Sequence, residues 1–151
     1  MTAPTRFLHP DSTVESCRII ELPRIQDPRG NLTFVEAERH IAFPIRRVYY
    51  LYDVPGGETR AGHAHLASER FLVAMSGSFD AVVDDARQRR VFHLNRAYYG
   101  LYVPTGIWLE LENFSSGAVC LSMTNTLYDA ADYIRDVQAF RDLKRSSHRA
   151  P

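Results

Sequence analysis

Gly57-Glu58-Thr59-Arg60-Ala61-Gly62-His63-Ala64-His65-Leu66-Ala67-Ser68-Glu69 is the stretch on which the reading of this chain turns. His63 and His65 are two residues apart. Side chains alternate faces along a strand, so a strand here sends both imidazoles into one cavity. Glu69 joins them where the chain curves. Two histidines and a carboxylate are the ingredients of a non-haem iron or manganese site. The same two rings, without metal, are a ready acid–base pair at neutral pH. Glu69 is open to three uses: metal ligand, partner that orients a histidine, or exposed strand residue.

On either side of this stretch the chain reads as short β-rich runs split by turn residues. Arg18–Leu22 is followed by the turn Asp27-Pro28-Arg29-Gly30-Asn31 and by Leu32–Glu36. Arg47–Tyr52 is dense in β-branched and aromatic residues and ends at Pro55-Gly56-Gly57. Phe71–Met75, Phe79–Val83, Val91–Leu94, Gly100–Val103, Ile107–Leu111 and Val119–Met123 complete the series, with Asp84-Asp85-Ala86 as a hairpin tip. Many strands with no long helical pattern between them predict an all-β sandwich or small barrel. Near the end, Asp129 is placed to cap a helix, with Asp132 three residues on and Tyr133, Val137 and Phe140 on one face. The expected organisation is an arm over 1–16, one domain over 17–140 and a frayed tail over 141–151.

The 151 residues suit one compact domain, and 45% hydrophobic with 24% charged residues excludes a disordered or collagen-like chain. Lys+Arg and Asp+Glu number 18 each, so no overall basic field invites nucleic acid. An anionic ligand therefore needs a local arginine cluster. Cys17 and Cys120 lie beside apolar residues and read as buried free thiols. Neither a signal-length nor a membrane-spanning apolar run occurs, so no membrane partner is expected and the cytoplasm is the expected location.

The central stretch resembles the first cupin motif: Gly57, His63, His65 and Glu69 fit its spacing, and Gly77 comes one residue late. Pro104, Gly106 and Asn113 fit the second motif, but Leu109 stands at its histidine position. Leucine has no lone pair to give, which argues that the cavity is kept and the full metal site is not. More narrowly, residues 17–140 resemble the WxcM-like cupins, sugar 3,4-ketoisomerases acting on dTDP-4-keto-6-deoxyglucose. The resemblance is carried by Arg29-Gly30-Asn31-Leu32, Phe43-Pro44, Arg47-Val48-Tyr49-Tyr50, Arg60, His63-Ala64-His65, Gly77-Ser78, Asp84-Asp85, Pro104 to Trp108, and Tyr128-Asp129 with Asp132-Tyr133-Ile134-Arg135. The departures are Ala61 for Gly, Leu66 for Lys, Glu69 where the family favours Gln, Ala86 for the Gly of the hairpin tip, and Leu109 after the Trp.

This resemblance implies a single antiparallel cupin barrel (jelly roll) with a short C-terminal helical segment. It implies a homodimer, a dTDP-linked 4-keto-6-deoxyhexose as ligand, and no cofactor. Moving a carbonyl from C4 to C3 of the hexose requires a base for the C3 proton, its return to C4, and a donor for the developing enediolate. The resemblance assigns the base to His65 and a supporting role to His63. Arg47 sits in an apolar strand, where an unpaired charge is costly, and so points to a ligand role. Arg60, just before the histidines, is read in the same way. Arginine forks suit a diphosphate, and Arg29 is a third candidate. The family match adds Asn31 to the pocket. Tyr49, Tyr99 and Trp108 are either core or pocket wall. His9, His40, His93 and His148 read as surface or structural. Two alternatives stay open: a metal-dependent, dioxygenase-type cupin using His63, His65 and Glu69, and a non-catalytic sugar-nucleotide-binding cupin.

Overall fold

The computed structural model describes residues 7–149. Ten of its strands form two five-stranded antiparallel sheets. The first comprises β1 (Arg18–Glu21), β9 (Tyr99–Val103), β6 (Arg70–Ser76), β11 (Val119–Thr124) and β4 (Arg47–Leu51), in that spatial order. The second comprises β12 (Tyr133–Ile134), β5 (Arg60–His65), β10 (Trp108–Glu112), β7 (Phe79–Asp84) and β8 (Arg89–Leu94). A hairpin of β2 (Arg24–Asp27) and β3 (Gly30–Thr33) stands apart. The expected all-β, cupin-like architecture is present, as two facing sheets rather than a closed barrel. Among the described residues no helix is long and apolar enough to cross a membrane.

Alternation assigns the faces. Leu72, Ala74, Leu101, Val103 and Cys120 of the first sheet meet Ala81, Val83, Leu109 and Leu111 of the second in one buried cluster. Several of the intervening residues are buried as well. Phe71, Val73 and Met123 point out of the first sheet and are covered by Leu22, Ile41 and Phe43. Ala64 and Trp108 point out of the second and are covered by Phe7 and Phe140. Burial on both faces explains why Phe71-Leu72-Val73-Ala74 reads as a continuous apolar run. Gly100 is required where these layers touch, because a Cβ there would stand 2.7 Å from the Leu72 carbonyl and collide with the Phe71 ring.

Residues 7–16 and 137–149 are more ordered than the sequence suggests. The helix α1 spans Val137–Arg149 and begins where the Asp136 carboxylate accepts the Ala139 N–H at 2.9 Å. Asp129 instead caps a single turn, Ala130–Asp132, and Tyr133 continues as β12 rather than lying on a helix face. A two-residue strand carries too little pattern to compete with a capping signal, which is why the helix was expected too early. Of the expected arm, Phe7 and Val14 are buried. Lys144 of α1 is buried too, and its ammonium donates to the Ser12 carbonyl at 2.7 Å and the Pro10 carbonyl at 3.2 Å. Residues 1–6 and 150–151 of the expected arm and tail lie outside the described residues.

Candidate active site

β4 ends the first sheet and β12 with β5 ends the second, and Arg47, Tyr49, His63 and His65 interrupt the apolar inward faces of β4 and β5. A bulge in β5 prepares the position of His63. Leu109 pairs with His63 and Glu110 with Ala61, leaving Gly62 as the extra residue. Ala61 and Gly62 both take positive φ, 67° and 73°. That conformation strains an alanine, and it kinks the strand so that the histidines project inward.

His65 is wholly buried and His63 nearly so, with ring centroids 4.9 Å apart. Tyr133 on β12 covers both, at 4.8 Å from His63 and 4.5 Å from His65. The Nδ1 of His65 lies 2.6 Å from the Asp132 carboxylate. Asp132 is fixed in turn by the Ser68 hydroxyl at 2.5 Å and the Ala67 N–H at 2.6 Å. Burial alone would raise this carboxyl, but hydrogen bonds from His65, Ser68 and Ala67 hold it down at about 2. As an anion it only accepts, so His65 keeps its proton on Nδ1 and its Nε2 is bare. That Nε2 and the Nδ1 of His63 are buried without partners.

Arg70, at the head of β6, lies beneath the pair. Its Nη1 is 3.5 Å from His63 Nε2, and its Nη2 donates to the Ile107 carbonyl at 3.3 Å. Arg47 on β4 stacks over Tyr49 and Tyr128, and its Nε is buried without a partner. Burial, reinforced by the Arg70 charge, lowers His63 to about 3 and His65 to about 4. Both imidazoles are therefore neutral at physiological pH, each with one ring nitrogen left over, in a cavity biased positive. Such a cavity holds a base and stabilises an anion forming beside it.

The set does not suit a metal ion. Glu69 points away from the histidines and is engaged by the Tyr102 hydroxyl and by Asn125 Nδ2 at 3.0 Å. Leu109 faces His63 across the register. Arg70 puts a fixed positive charge beside the nitrogen a cation would need, and among the described residues no cluster of three potential ligands forms.

Of the residues expected at the site, His63, His65, Arg47 and Tyr49 come together. Arg60 lies at the exposed start of β5. Arg29 is exposed at the tip of the β2–β3 hairpin and pairs with Asp27 at 2.9 Å. Asn31 lines a cleft with Val73, Met75, Leu121 and Met123, on the opposite face of the first sheet from the histidines. Trp108 points out of the second sheet onto Phe140, and its Nε1 donates to Glu110 at 3.0 Å. Tyr99 wedges against the apolar core, with its hydroxyl donating to Asn95 Oδ1 at 2.6 Å. Asp132, Tyr133, Tyr128 and Arg70 were not among the expected site residues.

A two-sheet cupin-like fold with a carboxylate-oriented histidine pair defines the class, and sequence relationships narrow it. Residues 15–145 match the family described as FdtA: WxcM-like, C-terminal, and the chain belongs to that family. It is 37% identical over 124 residues to a TDP-4-oxo-6-deoxy-alpha-D-glucose-3,4-oxoisomerase of Aneurinibacillus thermoaerophilus, covering 82% of this chain and 89% of that one. The WlaRB TDP-quinovose 3,4-ketoisomerase of Campylobacter jejuni is 39% identical and superimposes with a TM-score of 0.81 over 85% of this chain and 98% of that one. The sugar 3,4-ketoisomerase QdtA of Thermoanaerobacterium thermosaccharolyticum, solved in complex with TDP, gives 30% identity and a TM-score of 0.87 over 89% and 98% of the two chains.

Proposed function

We propose that this chain is a nucleotide-sugar 3,4-ketoisomerase that converts dTDP-4-keto-6-deoxyglucose to a dTDP-3-keto-6-deoxyhexose. The observation that carries the reading is the pair of unpartnered nitrogens, Nδ1 of His63 and Nε2 of His65, in a buried and positively biased cavity. His65 Nε2 removes the proton from C3. The electrons form an enediolate across C3 and C4, whose charge on O4 is met by His63 Nδ1–H. The proton held on His65 is then delivered to C4 as the carbonyl forms at C3. The hydroxyl proton passes from O3 to O4 in the same overall change, so atoms and electrons balance with no external oxidant or reductant. Arg47 takes the diphosphate, and Tyr49 and Tyr128 line its approach.

We further read the active species as a homodimer in the cytoplasm. In support, β1 forms a free edge of the first sheet. Val48 and Tyr50 on β4, with Tyr52 just past its end, leave an exposed apolar row. Both cysteines are buried free thiols, as a reducing compartment requires. Light scattering at micromolar protein tests the dimer, and a monomer mass rejects it.

The activity test is incubation with dTDP-4-keto-6-deoxyglucose in deuterated water, followed by NMR of the sugar ring. A 3-keto product with C4 only partly deuterated is expected, because the shuttled proton returns before full exchange. Unchanged sugar with retained nucleotide binding would leave a binding protein instead. Activity lost to EDTA and restored by iron would establish the metal-dependent alternative.

A further inference from the structure

Arg70 heads the large side chains that are fully buried, and none of the ion pairs among the described residues includes it. Its guanidinium meets only the Ile107 carbonyl and His63 Nε2, and its Nε has no partner. A buried cation without a counter-ion is destabilising, and packing alone would be better served by an apolar residue. The charge therefore has a use.

We propose that Arg70 is a positioning residue that fixes which nitrogen of His63 carries the proton, and so makes the two histidines complementary instead of equivalent. A guanidinium only donates and does not release its proton in proteins. The 3.5 Å separation from His63 Nε2 is long for a hydrogen bond, but a proton on that nitrogen would point at a fixed cation. The lone pair of His63 therefore faces Arg70, and its proton sits on Nδ1, free for a ligand oxygen. Asp132 sets His65 in the opposite sense by accepting its Nδ1–H. One charge of each sign thus dictates the two rings. Without Arg70, His63 is free to place its proton on Nε2 and turn a lone pair toward the same enediolate that His65 generates.

Of the other groups facing His63, the Ala61 carbonyl favours a protonated ring nitrogen but carries no charge to exclude the alternative tautomer, and the rest do not make this choice. Tyr133 packs against its ring from β12, Leu109 lies opposite on β10, His65 is edge-on along β5, and Arg135 acts only through its field. Arg47 and Asp132 act on His65.

The catalytic consequence rests on the ketoisomerase reading, but the tautomer does not. Full-length protein carrying 15N-histidine, studied by long-range 15N–1H NMR at neutral pH without ligand, should show both rings as Nδ1–H. In Arg70→Met, His63 should become a mixture with Nε2–H while His65 is unchanged. Turnover of dTDP-4-keto-6-deoxyglucose by this variant should fall about 10-fold or more in kcat, with KM held within about threefold. Arg70→Lys, which keeps the cation, should lie nearer the wild type. If Arg70→Met does not fold, Arg70→Gln provides the same comparison, and the wild-type spectrum is decisive by itself. His63 found with its proton on Nε2 in the wild type, or unmoved by loss of the charge, overturns the proposal. A wild type that shows His63 Nδ1–H but turns over no ketosugar rejects the ketoisomerase reading and leaves the tautomer assignment standing.

Discussion

Two histidine–aspartate pairs in this molecule have the same separation and different consequences. His65 and Asp132 meet at 2.6 Å with side-chain exposures of 0% and 10%, while His93 and Asp80 meet at 2.6 Å with exposures of 54% and 20%. The surface pair spans two neighbouring strands, and Asp80 is shared with the Asn113 amide. Water competes for every atom of it, and such pairs contribute little. The buried pair joins groups 67 residues apart, and three hydrogen bonds converge on its carboxylate. Distance is the same in both. What makes one a chemical device is the exclusion of water and the second ring beside it.

The sharpest way to break this contrast is to remove the buried ring. His65→Asn should keep the fold and nucleotide binding and lower turnover by roughly 10²–10⁴-fold, the range of general acid–base catalysis. Near-normal turnover by that variant ends the role assigned to His65. Asp132→Asn comes next. An amide that turns its NH2 toward Nδ1 moves the imidazole proton to Nε2, and kcat should fall roughly 10–10²-fold with a smaller change in KM.

A third prediction separates the pairs by pH. Burial holds His63 and His65 at about 3 and 4, below the ordinary value of 6.5, so the unfolded chain binds protons that the folded one excludes. Their contribution to stability is intact above about pH 6.5 and is lost as pH falls toward 4. Urea midpoints measured across that window should drop in the wild type and drop less in His65→Asn. The smallest effect belongs to His93→Asn, expected to change turnover by less than about twofold and stability within about 0.5 kcal/mol. A large effect there would erase the distinction between the pairs.

The strands on which the site is built are readable from local pattern, since alternation and turn residues mark nearly all of them. The histidine pair is readable because a spacing of two is a statement about one face. Arg47 is readable because a charge in an apolar strand demands a reason, and the same argument applies to Arg70 at the head of Phe71-Leu72-Val73-Ala74. Trp108 was open to assignment by parity: Leu109 faces inward, so its neighbour faces out. Asp132 is different in kind. Its partnership with His65 spans 67 residues, and the single turn that delivers it, followed by a two-residue strand, leaves no periodic trace. Arg29 and Asn31 show the other limit, because a turn can be recognised without revealing which face of a sheet it will cover.

The Lys144 ammonium and the Phe7–Phe140 contact, at 5.9 Å between centroids, also tie two distant stretches of chain into one opening unit. Residues 7–14 are covered by α1, and α1 is covered by them. Neither keeps its packing when the other detaches, so Ala64 and Trp108 on the second sheet are uncovered in the same event. Amide exchange in the two segments should therefore run at one common rate.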